Sequence, residues 1–275
     1  RSNNMNPFDL FLADPILNLL IVINKLLEAV SLPYSLGFAI ILLTAFLKLL
    51  TWPLTASQLK STKKMADLKP HMDRIKKQFG DDKTKLQLEM TKLYKEQGIN
   101  PLASCLPIIV QILPFFALYS VLTKAVSINS ADALAKINER LYFSFLHLQN
   151  VPSADFFGIN LATKPNEWRT IGVFILLIPV VTALFQLVQS QMMLPHKEKA
   201  PKDKKEKAEE DMSAQIQSQM AFFMPATMAW ISYSFPIGLA LYLNTFTILG
   251  IIQQYQLAGT GALTKYLPKK FKKLL

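Results

Sequence analysis

The sequence predicts an all-α polytopic membrane protein: five transmembrane helices, a cytoplasmic helical hairpin and an N-terminal amphipathic helix at the membrane interface. Three observations support this fold class. The 275 residues are 51% apolar and only 18% charged, whereas a soluble domain carries about 25% charged residues. Several apolar stretches reach the roughly 17–25 residues that a membrane-spanning helix needs. The basic residues, which give a net charge of +11, are concentrated between those stretches.

The N-terminal region, residues 1–32, is predicted to form an interfacial helix on the outer side of the membrane. Polar and charged side chains interrupt its apolar run at Asp14, Asn18, Asn24, Lys25 and Glu28, so the uninterrupted part is expected to be too short for a crossing. A polar face beside an apolar face is typical of a helix that lies in the interface. A tilted sixth span is the alternative interpretation.

The five spans are predicted at residues 33–54, 99–124, 169–194, 215–235 and 236–257. The first is expected to end at Trp52-Pro53. Prolines inside spans are tolerated where neighbouring helices satisfy the carbonyl groups that proline leaves free. Residues 125–168 are expected to form an outer loop, with a surface helix over NERLYFSFLHLQN at 138–150, and residues 195–214 a charged cytoplasmic loop.

The distribution of Lys and Arg predicts the orientation of the chain. Of the thirty, twenty-two lie between the first and second spans, between the third and fourth spans, and in the C-terminal tail, whereas seven lie on the other side. Because cytoplasmic loops carry an excess of these residues, the N-terminus is expected outside and the C-terminus inside.

Residues 55–98 are predicted to form a cytoplasmic coiled-coil hairpin around a turn at Gly80-Asp81-Asp82. Apolar side chains recur every three or four residues on both sides of this turn, which is typical of two helices packed along a narrow seam. The seam residues are Met65, Leu68, Met72, Leu86, Met90 and Leu93. With so few apolar layers, the hairpin is expected to move as a unit.

Lys48 is the most informative residue, because it interrupts an otherwise apolar span. A charge at mid-membrane costs at least about 2.5–3.5 kcal/mol, so an intramembrane lysine indicates a functional site. The other spans contain polar side chains as well, namely Gln111, Gln186, Gln189, Asn244 and Thr245. Together they favour a wet cavity inside the bundle. The alternative is that Lys48 snorkels past Trp52 to the inner interface.

The sequence gives no sign of catalysis, so the protein is not expected to be an enzyme. It shows no Ser/His pair, no paired intramembrane carboxylates and no phosphate-binding loop, and its single cysteine and three histidines form no metal-ligand pattern. No cofactor is therefore expected. A proton-coupled carrier would need an acidic residue within a span, and the last three spans contain none.

Four motifs follow one another along residues 33–257: Lys48 with Pro53-Leu54, TASQLKSTKKMADLKP, LYKEQGINPLASCLPIIVQILPFFALY and MPATMAWISYSFPIGLALY. This order resembles that of the YidC/Oxa/Alb membrane protein insertases. The resemblance implies a five-helix core around a hydrophilic, positively charged groove. Nascent membrane proteins would enter the bilayer through this groove without nucleotide hydrolysis, so the protein would act as an insertase and chaperone.

The resemblance also implies the groove residues. The family's central cation, usually Arg, matches Lys48, and a groove Gln of the third span matches Gln189. Tyr242 matches the first of two adjacent aromatic residues, but Leu243 stands at the second. Gln111 and Asn244 are the remaining candidates for contact with the substrate. The chain is expected to be a minimal form without a large outer domain.

Partners and location follow from the same resemblance. Nascent membrane proteins are the expected clients, and the ribosome, a Sec translocon and signal recognition particle components are candidate partners. The basic tail, 258–275, is expected to dock on anionic lipids or on the ribosome through Lys265, Lys269, Lys270, Lys272 and Lys273. A bacterial plasma (inner) membrane is expected, with a thylakoid membrane as the alternative. There are two competing functions. One is a small-solute channel or carrier, and the other is a scaffold for respiratory or photosynthetic complexes.

Overall fold

The computed structural model describes residues 7–98, 112, 114–121, 131–194 and 212–265. Its helices are α1 (Asp14–Ala29), α2 (Ser35–Asp67), α3 (Lys69–Phe79), α4 (Lys83–Glu96), α5 (Ala131–Asn138), α6 (Trp168–Ile171), α7 (Leu177–Met193), α8 (Met212–Ser234) and α9 (Ile237–Ala258). Residues 114–121 are also helical. A π-helical turn, Asp9–Ala13, precedes α1, and 3-10 turns lie at Ser144–Leu146, Pro165–Glu167, Val173–Leu176 and Gly261–Lys265. Two strands of two residues, Asp155–Phe156 and Ile159–Asn160, pair antiparallel.

Four of the described helices are long and apolar enough to cross a membrane: Asp9–Ala29, Ser35–Ser61, Val173–Met193 and Ile237–Ala258. The prediction of a mainly helical protein with several membrane spans is confirmed at this level. Helix α8 has 23 residues, but glutamines at 215, 217 and 219 lower its hydropathy. The predicted second span lies largely outside the described residues. The number of five spans therefore stays a prediction.

The N-terminal helix differs from its prediction in apolar length. Its 21 residues, Asp9–Ala29, reach a mean hydropathy of 1.8, so it is not too short to cross. Asp14, Asn18 and Asn24, which interrupt the apolar run, are buried against the rest of the protein, whereas Phe11 and Leu26 are exposed. The interfacial position stays a prediction, and the exposed face is apolar enough to contact lipid.

Polar contacts fasten α1 to the loop after α5. Arg140 donates from Nε to Asp14 Oδ1 at 2.6 Å and from Nη2 to Asp9 Oδ1 at 3.0 Å. The side chain of Asn18 accepts a hydrogen bond from the Tyr142 N–H at 2.8 Å. Because Asp14 is buried, the guanidinium offsets the cost of removing its carboxylate from water. We name this group of contacts the Arg140 clamp.

Residues 138–150 do not form the predicted surface helix. After Asn138, where α5 ends, only the Ser144–Leu146 segment is helical, as a single 3-10 turn. The physical reason is the side chain of Asn138, which donates to the Leu148 carbonyl at 3.0 Å and accepts from the Leu148 N–H at 2.8 Å. These two bonds close the segment into a compact loop, which a continuous helix would have to open.

Helix α2 continues past the predicted end of the first span and runs through Pro53 to Asp67. Pro53 lies on the exposed face, whereas Thr55 on the opposite face is buried against α9. The hydrogen bond lost because proline has no N–H therefore weakens α2 only on its exposed face. The break comes instead at Leu68, and Pro70 lies in the first turn of α3, where an N–H needs no partner.

Helices α3 and α4 pack against each other, and the turn between them ends in an N-cap. The Asp82 side chain accepts from the N–H groups of Thr84 and Lys85. Among the predicted seam residues, Met72 and Leu93 are buried, Leu68, Leu86 and Met90 are partly buried, and the Met65 side chain lies outside the described residues. These contacts fit a hairpin. Its cytoplasmic position and its movement stay predictions.

The bundle has two unlike ends. The loop end, where residues 138–165 lie, holds a continuous apolar core built from α1, the first half of α2, residues 114–121 and the first half of α9. The hairpin end, towards α3 and α4, holds the buried polar residues of α2, α7 and α9, including Lys48, Gln58, Gln186, Gln253 and Gln254. Where α2, α7 and α9 meet, the interior is therefore apolar towards the loop end and polar towards the hairpin end.

The chain after α9 folds back onto the last turn of α7. The Ala262 N–H donates to the Leu194 carbonyl at 2.9 Å, and Gln254 Nε2 donates to the Met192 carbonyl at 3.2 Å. Gly261 has a φ of +51°, and a Cβ at this position would overlap both of those carbonyl oxygens. Because the last carbonyls of a helix lack partners within it, this segment caps α7 and joins it to α9.

Replacing Gly261 with alanine should therefore destabilise the protein. Gly98→Ala is the matched control, because Gly98 also has a positive φ, +61°, but an added Cβ there meets nothing within 4 Å. Both variants carry the left-handed cost of about 1–2 kcal/mol. Gly261→Ala should lose about 1–3 kcal/mol more from overpacking, measured by thermal unfolding in detergent. Equal losses in the two variants would contradict the close contact.

Candidate functional site

Lys48 lies inside the bundle. The residue is only 4% exposed. Its Nζ lies 4.2 Å from the centre of the Phe246 ring on α9. An ammonium over an aromatic face is attracted by the ring quadrupole. The ion pairs found among the described residues do not include Lys48. A snorkelling lysine would lie on the bundle surface, so this placement favours the interior interpretation.

Gln189 of α7 reaches the same place from a second direction. A Cβ at Gly250 of α9 would stand 3.6 Å from Lys48 Nζ and would overlap the amide nitrogen of Gln189. Glycine at this position therefore allows α9 to approach both side chains. The structure brings together two predicted site residues, Lys48 and Gln189, across a glycine that sequence reasoning did not single out.

Tyr242 is buried further towards the loop end, with 1% of its surface exposed. Its ring centre is 6.0 Å from that of Phe246, so Phe246 lies between Tyr242 and the ammonium of Lys48. The Tyr242 hydroxyl and Asn244 Oδ1 are buried without a hydrogen-bond partner within the part of the chain that the structure describes. Leu243 is also buried. Gln111 lies outside the described residues.

Lys48 belongs to a line of polar residues that follows one face of α2, which we call the α2 polar stripe. Its members are Thr44, Lys48, Thr51, Thr55 and Gln58. Their spacing of four and three residues places them on one side of the helix, and all are buried or partly buried. Sequence reasoning found only Lys48. The regular polar spacing in an apolar helix is the signal that would have found the others.

Hydrogen bonds connect this stripe and α7 to α9. Gln253 Nε2 donates to Thr55 Oγ1 at 2.6 Å and to the Trp52 carbonyl at 3.2 Å. Thr247 Oγ1 donates to Gln186 Oε1 at 3.1 Å. Buried polar groups normally have such partners, and these bonds join α2 and α7 to α9 near Lys48.

The remaining predicted sites are outside this cluster. Lys265 ends the Gly261–Lys265 turn, but its side chain and the whole of Lys269, Lys270, Lys272 and Lys273 lie outside the described residues. Within the described ranges, no group of three or more His, Cys, Asp or Glu residues is placed to hold a metal ion. The chemistry that the cluster offers is thus one buried cation surrounded by hydrogen-bonding amides and hydroxyls.

A helical membrane bundle with a buried cation at its polar end is the class that this fold and site define. The model of the 60Kd inner membrane protein family matches residues 27–261. The chain belongs to this family, which is the YidC/Oxa/Alb family that the motifs resemble.

Relatives in chloroplasts and in bacteria agree with this assignment. Inner membrane ALBINO3-like protein 1, chloroplastic, from Chlamydomonas reinhardtii is 32% identical over 258 residues, which cover 90% of this chain and 49% of the relative. Membrane protein insertase YidC from Rickettsia prowazekii (strain Madrid E) is 32% identical over 223 residues, which cover 80% of this chain and 34% of the relative. The chain thus spans about half or less of the length of these relatives.

A solved structure shows the same fold. The crystal structure of an active YidC insertase with its first transmembrane domain resolved matches with a TM-score of 0.56 at 22% identity. The match covers 91% of this chain and 47% of that one. At this level of identity, the likeness establishes the fold.

The close approach at Gly250 gives a graded test. Gly250→Ala should displace only the flexible end of Gln189, whereas Gly250→Val should also push against Lys48. The larger change should lower the free energy of unfolding by about 1–3 kcal/mol, measured by thermal unfolding in detergent. Ile252→Ala, on the exposed face of the same helix, should change it by less than about 0.5 kcal/mol. A Gly250→Val protein as stable as the parent would rule out the close approach.

Proposed function

We propose that the protein is a membrane protein insertase and chaperone, which holds a polar or acidic part of a nascent membrane protein near Lys48 while the apolar part enters lipid. One observation carries the proposal: the ammonium of Lys48 is buried in the bundle, and no carboxylate pairs with it among the described residues. A relative of one third identity is named as an insertase, and this supports the same activity here.

The electrostatic argument starts from the cost of an unpaired charge. A cation within a membrane span is unfavourable unless a partner or water compensates it. The Phe246 ring offsets part of that cost, and Gln189, beside the same glycine of α9, is a neutral polar neighbour. A client carboxylate would offset much more. Lys48 would therefore favour clients that bring a negative group into the bundle.

The two unlike ends of the bundle give the process a direction. The polar hairpin end would admit a hydrophilic segment and shorten the apolar distance that this segment has to cross. The apolar core at the loop end would keep water and ions from following it. The driving force would be the burial of the client's own apolar segment in lipid, so no nucleotide is required. Within the described residues, the packed loop end gives no support to a small-solute channel or carrier.

Orientation, partners and location form part of the proposal. The excess of Lys and Arg beside the hairpin end supports an inside position for α3 and α4, with the N-terminus outside and five spans in all. The basic tail and the hairpin would dock the ribosome, signal recognition particle components, a Sec translocon or anionic lipids. Relatives from Rickettsia and from a chloroplast are compatible with a bacterial inner membrane or a thylakoid membrane.

Charge reversal at Lys48 tests the electrostatic part. Lys48→Arg should retain insertion of clients with acidic outer tails, Lys48→Ala should weaken it, and Lys48→Glu should lower it by about tenfold or more, equivalent to about 1.4 kcal/mol. Insertion into proteoliposomes, measured by protease protection, reports the effect. Lys164→Glu makes the same charge change at an exposed position and should leave insertion unchanged. Normal insertion by the Lys48→Glu variant would show that the charge of Lys48 plays no part in insertion.

The α3–α4 pair has a separate test. Leu68→Ser and Leu93→Ser together should open the seam, because Leu93 is buried and Leu68 partly buried, and should lower activity while the membrane bundle stays folded. Complementation in cells reports activity, and thermal unfolding of the purified protein reports the bundle. Leu88→Ser on the same α4 helix is the control, since Leu88 is 54% exposed. Full activity of the double variant would show that the seam is not needed.

A further inference from the structure

A second polar feature lies at the inner end of the α2 polar stripe. Gln58 follows Thr55 by one turn and is 4% exposed. Among the residues that the structure describes, neither its Nε2 nor its Oε1 has a hydrogen-bond partner. A buried amide without a partner destabilises a fold and is rare in native structures. The unpaired amide of Gln58 thus lowers the stability of the fold, which indicates a role other than packing.

The hydrogen bonds that join α2 to α9 do not involve Gln58. Gln253, which is 1% exposed, already donates to Thr55 Oγ1 and to the Trp52 carbonyl. Those bonds fasten the two helices one turn away from Gln58. Within the described ranges, the amide of Gln58 therefore takes no part in the hydrogen bonding between helices, and both its donor and its acceptor are unpaired.

We propose that Gln58 binds the uncharged main-chain amide groups of the incoming polypeptide before that polypeptide reaches Lys48. This inference rests on the proposed insertase function and extends it to a second kind of client group. A glutamine side chain offers two N–H donors and one carbonyl acceptor, which complement the C=O and the N–H of a peptide unit. A segment that has not yet formed a helix carries such groups unpaired, and lipid cannot satisfy them.

The chemistry of the two positions is different, and their separation suits successive contacts. Lys48 offers donors and a charge but no acceptor, so it discriminates by charge. Gln58 carries no charge and pairs with either half of a peptide unit, so it is indifferent to the client's charge. Ten residues of helix separate them, or about 15 Å at 1.5 Å per residue. A lipid phosphate is a poorer occupant, because the neutral amide of Gln58 offers no positive charge to compensate a buried anion.

The test compares Gln58→Leu with Gln253→Leu in the purified full chain. Leucine keeps most of the side-chain volume and removes the amide. Gln58→Leu should raise the temperature of thermal unfolding, because it removes unpaired polar atoms, whereas Gln253→Leu should lower it, because two hydrogen bonds are lost. Insertion into proteoliposomes is then measured with two clients that differ only in having a neutral or an acidic outer tail.

The expected result is that Gln58→Leu inserts both clients about three- to tenfold more slowly, while Lys48→Ala slows only the acidic one. Three outcomes would overturn the inference: unchanged insertion of both clients, a loss confined to the acidic client, or a fall in unfolding temperature as large as that of Gln253→Leu. If the parent chain inserts neither client, the proposed function fails and this inference fails with it. That case is recognised from the parent protein alone, before any variant is compared.

Discussion

The ammonium of Lys48 is the group that the surrounding structure has to accommodate. It sits in a helix that is otherwise apolar, so its desolvation must be compensated from neighbouring helices. The Phe246 ring faces it, and Gly250 lets the backbone of α9 approach it and Gln189 together. The hydrogen bonds of Gln253 and Thr247 then add polar contacts that join α9 to α2 and α7 near the charge. Loss of any one of these contacts would raise the free-energy cost of burying the Lys48 ammonium.

The division of the bundle into an apolar and a polar end follows from the same constraint. Helices α2 and α9 each change character along their length, from leucine and isoleucine at the loop end to threonine and glutamine beyond Lys48. A uniformly polar interior would be too weakly packed, and a uniformly apolar one could not hold the cation. The apolar packing of the fold therefore lies mainly at the loop end, while the hairpin end holds, among the described residues, unpaired polar atoms of Gln58 and Gln254.

The sequence predicted the features that leave a periodic or compositional trace. These are the helical membrane class and the turn at Gly80-Asp81-Asp82, and the sequence also singled out Lys48, which is buried in the bundle. It did not predict that α2 would continue through Pro53, because the local preference of proline is outweighed by tertiary contacts on the opposite face. The close approach at Gly250 and the hydrogen-bond partner of Gln253 could not be predicted either, since both depend on which helices are neighbours. The fold of residues 138–150 was missed because one side chain, Asn138, decides it.

The Arg140 clamp has a consequence for how the protein itself is made. Asp14 and its partner are 126 residues apart in the chain. At about 5–20 residues per second, roughly 6 to 25 seconds of translation separate the appearance of the carboxylate from that of the guanidinium. During that interval Asp14 has no Arg140 to neutralise it, and an unpaired carboxylate is costly to bury. Final docking of the first helix is thereby timed by the synthesis of a loop in the middle of the chain.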